Sequence, residues 1–305
     1  MTEERVARVG EVEIAYDTFG DPADPALLLI MGLGMQLIHW DPELCQLLAE
    51  RGFHVIRFDN RDTGHSTKIE DGPPPSLWAA MLRRKGTASY TLDDMADDAV
   101  GVLDAVGADK AHVAGASLGG MIGQTVAARH PDRVLSLASI MSTTGNRWAG
   151  MPRLKALGLF MRRPPRDRER YVEYFTRTFD VIGSPGFPRD EARIRELAAT
   201  AYDRCHYPVG VARQLAAIGA SGDRSPALRG LDVPTVVIHG SDDPLIPLRG
   251  GRATARAIPN AELIEIPGMG HDLPRQVWPQ LVDAIWRNTE RAVSDPAKER
   301  SEAWR

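Results

Sequence analysis

The stretch Gly115-Ala116-Ser117-Leu118-Gly119 decides which fold this sequence predicts. The residues before it, 111–116, form a short apolar run of the kind that a buried parallel strand needs. The residues after it, 121–127, repeat apolar side chains at helical spacing. Ser117 therefore falls at a predicted strand-to-helix turn. This is the setting of a nucleophile elbow, in which a serine is held in a strained backbone conformation between two glycines.

Strands and helices alternate on both sides of this stretch. Further buried strands are predicted at 26–31, 53–58, 134–141 and 233–239, and a last strand is predicted at 261–266. A helix is predicted over 91–107, with Thr91 as N-cap, Asp94 at the third helical position and Gly107 just past its end. Alternating strands and helices predict a mostly parallel sheet flanked by helices, because right-handed crossovers place helices on both faces.

The pattern changes between 142 and 231, where helical stretches occur with no predicted strand among them. We interpret residues 142–231 as a helical cap inserted into an α/β core formed by 1–141 and 232–293. Residues 294–305 are charged and carry only one large apolar residue, Trp304. They are predicted to form a mobile tail.

Composition excludes several classes of protein. The chain has 305 residues, of which 43% are hydrophobic, and a formal charge of −4, which gives no case for a nucleic-acid partner. No apolar run is long enough to cross a bilayer, and the first residues lack a secretory pattern, so we expect a cytoplasmic protein. Cys45 and Cys205 fit a reducing compartment and offer no metal cluster, although a single disulfide stays open.

The residues needed to activate a serine follow two of the predicted strands. A serine hydroxyl is too weakly acidic to attack a carbonyl unless a histidine accepts its proton and a carboxylate orients that histidine. Asp242 and Asp243 follow the strand at 233–239, and His271 follows the strand at 261–266. Because the carboxyl ends of parallel strands converge on one rim, Ser117 can meet an aspartate and His271 there. His54, His112, His130 and His239 are interpreted as structural histidines, and no metal site follows from them.

These motifs resemble the α/β-hydrolase-fold serine hydrolases over essentially the whole chain. Within that superfamily, the segments 31–34, 59–64 and 266–271 are most similar to the aclacinomycin methylesterase and mycobacterial LipG-like carboxylesterase group. Two positions depart from the common pattern, since Met31 stands where many members have histidine and Asp62 where many have glycine.

The resemblance also implies roles for individual residues. The family acid precedes proline or a similar residue, which favours Asp243 over Asp242 as the partner of His271. The oxyanion hole is expected from the amides of Leu118 and Leu33, with Gly32 as the near alternative to Leu33.

Candidate pocket residues lie after the predicted strand at 26–31 and in the cap. They are Gly32, His39, Trp40, Trp148, Leu154, Leu157 and Phe160. The cap segment 147–177 also holds nine basic and three acidic residues, Arg162 and Arg163 among them. We interpret this segment as a solvated, arginine-rich helix face. A weak contact with an anionic lipid surface is the alternative interpretation.

We therefore predict a hydrolase of small-molecule carboxylic esters that needs no cofactor or metal. The same three residues also serve thioesterases, lactonases, phospholipases, C–C hydrolases and cofactor-free haloperoxidases or perhydrolases. A hydrolase-fold ligand receptor is a further alternative. Dehalogenases and epoxide hydrolases of this fold are disfavoured, because they need an aspartate where Ser117 stands. The oligomeric state stays open.

Overall fold

The computed structural model describes residues 3–73, 86, 88–160 and 164–293. The predicted tail at 294–305 and the pair Arg162 and Arg163 lie outside the described residues. So do the side chains of Leu157 and Phe160.

A single eight-stranded sheet forms the centre of the described chain, in the order β1-β2-β4-β3-β5-β6-β7-β8. Its strands are β1 (Arg5–Val9), β2 (Val12–Phe19), β3 (Ala26–Ile30), β4 (His54–Phe58), β5 (Ala111–Ala116), β6 (Val134–Ile140), β7 (Thr235–Gly240) and β8 (Glu262–Ile266). Strands β3 to β8 pair in parallel, whereas β2 is antiparallel to both β1 and β4. The predicted mostly parallel sheet is confirmed.

Burial follows the position of each strand in the sheet. Strands β3, β4, β5 and β7 are buried along their whole length, as their largely apolar sequences predicted. Strand β8 lies at the edge of the sheet, and only Ile266 in it is fully buried. At the other edge, β1 and β2 form a hairpin across Gly10, which has a φ of +58°.

Among the described residues outside the chain between β6 and β7, five α-helices cover the two faces of the sheet. They are α1 (Pro42–Ala49), α2 (Leu92–Ala105), α3 (Leu118–Arg129), α9 (Leu248–Ala257) and α10 (Trp278–Val293). One core cluster joins α2 and α3 to the sheet through residues such as Leu103 and Ile122. A second joins α1 and α10 to the opposite face through residues such as Leu44 and Leu281. The predicted N-cap of α2 at Thr91 is confirmed, because Asp94 accepts a 2.7 Å hydrogen bond from the amide of Thr91.

The chain between β6 and β7 adds five helices and, among its described residues, no strand. They are α4 (Leu154–Phe160), α5 (Arg168–Ile182), α6 (Glu191–Arg204), α7 (Pro208–Ser221) and the short α8 (Ser225–Leu228). We call residues 142–231 the inserted segment. Helices α5 and α6 share a small apolar cluster of Val172, Phe175 and Ala198. Within the described ranges, no helix has the length and apolar character needed to cross a membrane.

Candidate active site

Ser117 occupies a strained turn between β5 and α3, as the sequence predicted. Its φ of 57° and ψ of −116° lie where non-glycine residues are rarely found. The flanking glycines are required sterically: a Cβ on Gly115 would lie 2.1 Å from the carbonyl oxygen of Gly119. A Cβ on Gly119 would lie 1.9 Å from the carbonyl oxygen of Ile30. The turn therefore forms only because both positions lack a side chain.

A chain of hydrogen bonds joins Ser117 to two residues that follow other strands. The Oγ of Ser117 lies 2.9 Å from Nε2 of His271, and Nδ1 of His271 lies 2.6 Å from Oδ2 of Asp243. Because a carboxylate can only accept, Nδ1 carries the proton and Nε2 is free to accept from the serine hydroxyl. Both Asp243 and His271 are buried. Nε2 is thereby in position to accept the proton of Ser117.

The two adjacent aspartates point to different partners. Oδ1 of Asp243 accepts hydrogen bonds from the amides of Leu245 and Ile246, at 2.8 and 2.9 Å, and Oδ2 is left to His271. Asp242 instead accepts a 2.7 Å hydrogen bond from the hydroxyl of Ser241. Only Asp243 therefore lies within hydrogen-bonding distance of His271 among these two.

A second histidine, His239, lies close to the same carboxylate oxygen of Asp243. Nε2 of His239 is 3.7 Å from Oδ2 of Asp243 and donates a 2.7 Å hydrogen bond to the carbonyl of Ile246. Burial lowers the pKa of His239 below its usual value. His239 thus supports the turn that carries Asp243 as a neutral, fully buried side chain.

The loop that carries His271 is crossed by the inserted segment. The amide of His271 donates to the carbonyl of Ile182 at 2.6 Å, and the amide of Gly270 donates to Oγ of Ser184 at 2.8 Å. The same Ser184 hydroxyl donates to Asp272. Burial raises the pKa of Asp272. Backbones come so close here that a Cβ on Gly270 would lie 2.3 Å from the carbonyl oxygen of Gly183.

The turn at 32–35 lies against Ser117. A Cβ on Gly32 would be 3.2 Å from Cβ of Ser117 and 3.7 Å from its Oγ. The amide of Met35 donates to the carbonyl of Gly32 at 3.1 Å, and Gly34 has a φ of +68°, as in a type II turn. The amide of Gly34 is also engaged, so Leu33 remains the amide of this turn that we predict for the oxyanion hole. Leu118 begins α3, and its amide has no acceptor within the helix.

Two polar residues at these loops were not predicted from the sequence. Gln214, on α7, is fully buried and accepts the 2.8 Å hydrogen bond from the amide of Gly34. Ser184 follows α5 and braces the His271 loop. A signal existed only for Gln214, which interrupts an apolar stripe between Val211 and Ile218 at helical spacing.

The other predicted pocket residues differ in how far they are buried. Trp40 is fully buried in the core cluster of α1 and α10. His39 lies beside Phe175, with ring centroids 5.9 Å apart, and burial lowers its pKa to about 4. Trp148 and Leu154 are 78% and 88% exposed. A role for any of them in binding substrate stays a prediction, and the side chains of Leu157 and Phe160 lie outside the described residues.

Two sequence features have plain structural explanations. Asp62 has a φ of 67°, so its position requires the left-handed conformation that glycine adopts easily and aspartate tolerates. In the basic segment 147–177, Arg168 is paired with Asp203 through two 2.7 Å hydrogen bonds, and Arg177 is paired with Glu173 at 2.7 Å. This pairing favours the solvated helix face for those two arginines. Cys45 and Cys205 are both free thiols.

Comparison with known proteins identifies the family. The family model described as the alpha/beta hydrolase fold matches residues 25–274. This chain belongs to that family.

Individual members of the family with known activities are similar to this chain over most of its length. The chain is 30% identical to a rhodomycin D methylesterase from Streptomyces sp. (strain C5), over 95% of this chain and 99% of the relative. It is also 30% identical to the rhodomycin D methylesterase of Streptomyces peucetius, over 93% of this chain and 97% of the relative. The expected likeness to the aclacinomycin methylesterase group is confirmed. Among solved structures, a meta-cleavage product hydrolase from Pseudomonas fluorescens is similar in fold, with a TM-score of 0.75, 18% identity and coverage of 94% and 98%.

Proposed function

We propose that this protein hydrolyses carboxylic esters through an acyl-enzyme intermediate on Ser117. The observation that carries the proposal is the hydrogen-bond chain from Ser117 Oγ through His271 to Asp243, with lengths of 2.9 and 2.6 Å. Membership of the α/β-hydrolase family and the two methylesterase relatives support an ester as the substrate.

Acylation begins when Ser117 Oγ attacks the ester carbonyl carbon while Nε2 of His271 accepts the hydroxyl proton. The carbonyl oxygen becomes an oxyanion, which accepts hydrogen bonds from the amides of Leu118 and Leu33. Asp243 holds the imidazole in the required tautomer and stabilises the imidazolium that forms. The tetrahedral intermediate then collapses, and His271 returns its proton to the departing alcohol.

Deacylation repeats the same steps with water in place of Ser117. His271 accepts a proton from water as the water oxygen attacks the acyl carbon. The second tetrahedral intermediate then collapses, His271 returns that proton to Ser117 Oγ, and the acid is released. One ester and one water give one acid and one alcohol. Every proton transfer in the cycle passes through Nε2 of His271.

We further propose a methyl or other small alkyl ester as the first substrate class to test. The 30% identity to two rhodomycin D methylesterases supports a small alcohol as the leaving group. The inserted segment is proposed as a cap over this site. Its contacts with the loops that carry Gly34 and His271 support that role.

Purified protein should turn over p-nitrophenyl acetate and simple methyl esters, and a fluorophosphonate probe should label Ser117 stoichiometrically. Ser117→Ala should lower kcat by at least about a thousandfold and abolish labelling, because the nucleophile is lost while the turn tolerates alanine. Circular dichroism and unfolding of the variant should match the parent protein. Retained turnover by Ser117→Ala contradicts the assignment, and a single-turnover burst without steady-state hydrolysis supports a ligand receptor instead.

A further inference from the structure

We propose that Gln214, on the inserted segment, is a positioning residue that fixes the oxyanion turn at 32–35. The inference rests on the proposed function, since it assigns a role to the turn that carries Leu33. The inserted segment would then influence the stabilisation of the oxyanion as well as the access of substrate to the site.

Both the oxygen and the nitrogen of the Gln214 carboxamide form hydrogen bonds. Oε1 accepts from the amide of Gly34 at 2.8 Å, while Nε2 donates to the carbonyl of Arg61 at 3.0 Å and to Oγ1 of Thr63 at 2.8 Å. The side chain is fully buried. A flipped amide would bring an oxygen against the Arg61 carbonyl and an N–H against the Gly34 amide, so the orientation is determined by the partners.

The bond to Gly34 acts on the peptide plane that follows Leu33. Gly34 adopts the φ of +68° that a type II turn requires, and a rotation of the Leu33–Gly34 peptide would convert that turn to another type. Because Gln214 accepts from the N–H of that peptide, such a rotation would leave a buried carboxamide oxygen unpaired. Gln214 therefore holds the turn that lies against Ser117.

The other end of Gln214 is attached to a rigidly held loop. Arg61 pairs with Asp98 through hydrogen bonds of 2.6 and 2.7 Å, and Asn60 donates to the carbonyl of Met31 at 3.0 Å, directly before the turn. Helix α7 also contacts the turn closely, because a Cβ on Gly34 would lie 2.7 Å from Cγ2 of Val211. The turn is thus held between α7 and the loop at 59–66.

The test compares Gln214→Met with Gln124→Met. Gln124 is also fully buried and donates to Ser139 Oγ at 3.1 Å, and the bonds described for it do not reach the 32–35 turn. Active sites are counted by fluorophosphonate labelling, so partial unfolding does not lower the measured kcat. The Ki of an alkyl trifluoromethyl ketone, whose adduct with Ser117 places an oxyanion in the hole, is measured alongside.

Gln214→Met should lower kcat per active site about 10- to 100-fold, less than direct loss of an oxyanion donor. The Ki of the ketone should rise by a similar factor while KM changes little, because the loss falls on the transition state. Thr63→Val, which removes one anchor of the carboxamide, should change kcat and Ki in the same direction by a smaller factor.

The inference is overturned if kcat and Ki of Gln214→Met stay within about threefold of those of Gln124→Met. If Gln214→Met does not fold, an unchanged kcat and Ki in Thr63→Val overturn it. Failure of the proposed function is a separate result, because the parent protein would then show neither turnover nor labelling of Ser117.

Discussion

The main-chain N–H of His271 donates a 2.6 Å hydrogen bond to the carbonyl of Ile182, the last residue of α5. The predicted general base and the inserted segment are therefore directly joined. Gly183 and Gly270 allow this crossing, since a side chain on Gly270 would meet the Gly183 carbonyl. Any opening of the inserted segment that moved residues 182–186 would also disturb the histidine loop. We expect substrate access to depend on other parts of the segment.

Ser184→Ala should lower kcat several-fold. The substitution removes the acceptor for the Gly270 amide and the donor to Asp272, on both sides of His271. A matched control is Ser221→Ala, because Ser221 is also on the inserted segment and accepts from a core amide, that of Leu92, at 2.9 Å. Steady-state kinetics per labelled active site should show a larger loss for Ser184→Ala. Equal effects of the two changes would mean that the Ser184 contact is only structural.

Asp243→Asn should reduce kcat by about 10⁴-fold, whereas Asp242→Asn should change it little. Asparagine at 243 can donate its amide N–H to Nδ1 of His271. This favours the tautomer with the proton on Nε2, which cannot accept the proton of Ser117. Asp242 makes no such contact and accepts from Ser241. The two variants are compared on one aryl ester at one pH. A larger loss in Asp242→Asn would assign the acid to that residue.

Asp17→Asn should destabilise the fold by about 3–5 kcal/mol, since it leaves the buried charge of Arg57 without its carboxylate. Arg57 and Asp17 form two hydrogen bonds of 2.7 and 2.8 Å, with side chains only 5% and 6% exposed. Glu265→Gln breaks the exposed pair with Arg252 and should have no measurable effect. Urea unfolding at pH 7 measures both. Equal midpoints for the two variants would contradict the burial argument.

Stability should fall as the pH is lowered from about 6.5 to about 4. Burial lowers the pKa of His112 from 6.5 to about 4, so the unfolded chain binds a proton in this window that the folded chain does not. At about 1.4 kcal/mol per pH unit, the contribution of His112 is roughly 3 kcal/mol, fully present above pH 6.5. His112→Leu should make the plot of unfolding free energy against pH flatter. An unchanged slope in urea titrations would show that His112 is not responsible.

Local patterns predicted most of the fold because they act within a few consecutive residues. The apolar runs at β3, β4, β5 and β7 predicted buried strands that the structure contains. The partial exposure of β8 was not predicted, because the local sequence does not reveal that this strand lies at the edge of the sheet. The full burial of Trp40 in the core cluster of α1 and α10 was also not predicted, because it depends on packing between elements that are distant in sequence.

Sequence patterns were sufficient to predict the order of strands and helices, the strained turn at Ser117, and the rim on which Asp243 and His271 lie. These follow from periodicity and from glycines whose steric role is local. The contact of Ser184 with the His271 loop, and that of Gln214 with a turn 180 residues earlier in the chain, became visible only in the tertiary structure. The physical reason is that a hydrogen bond between distant residues depends on the direction of each side chain after packing. Residue spacing along the chain does not encode that direction.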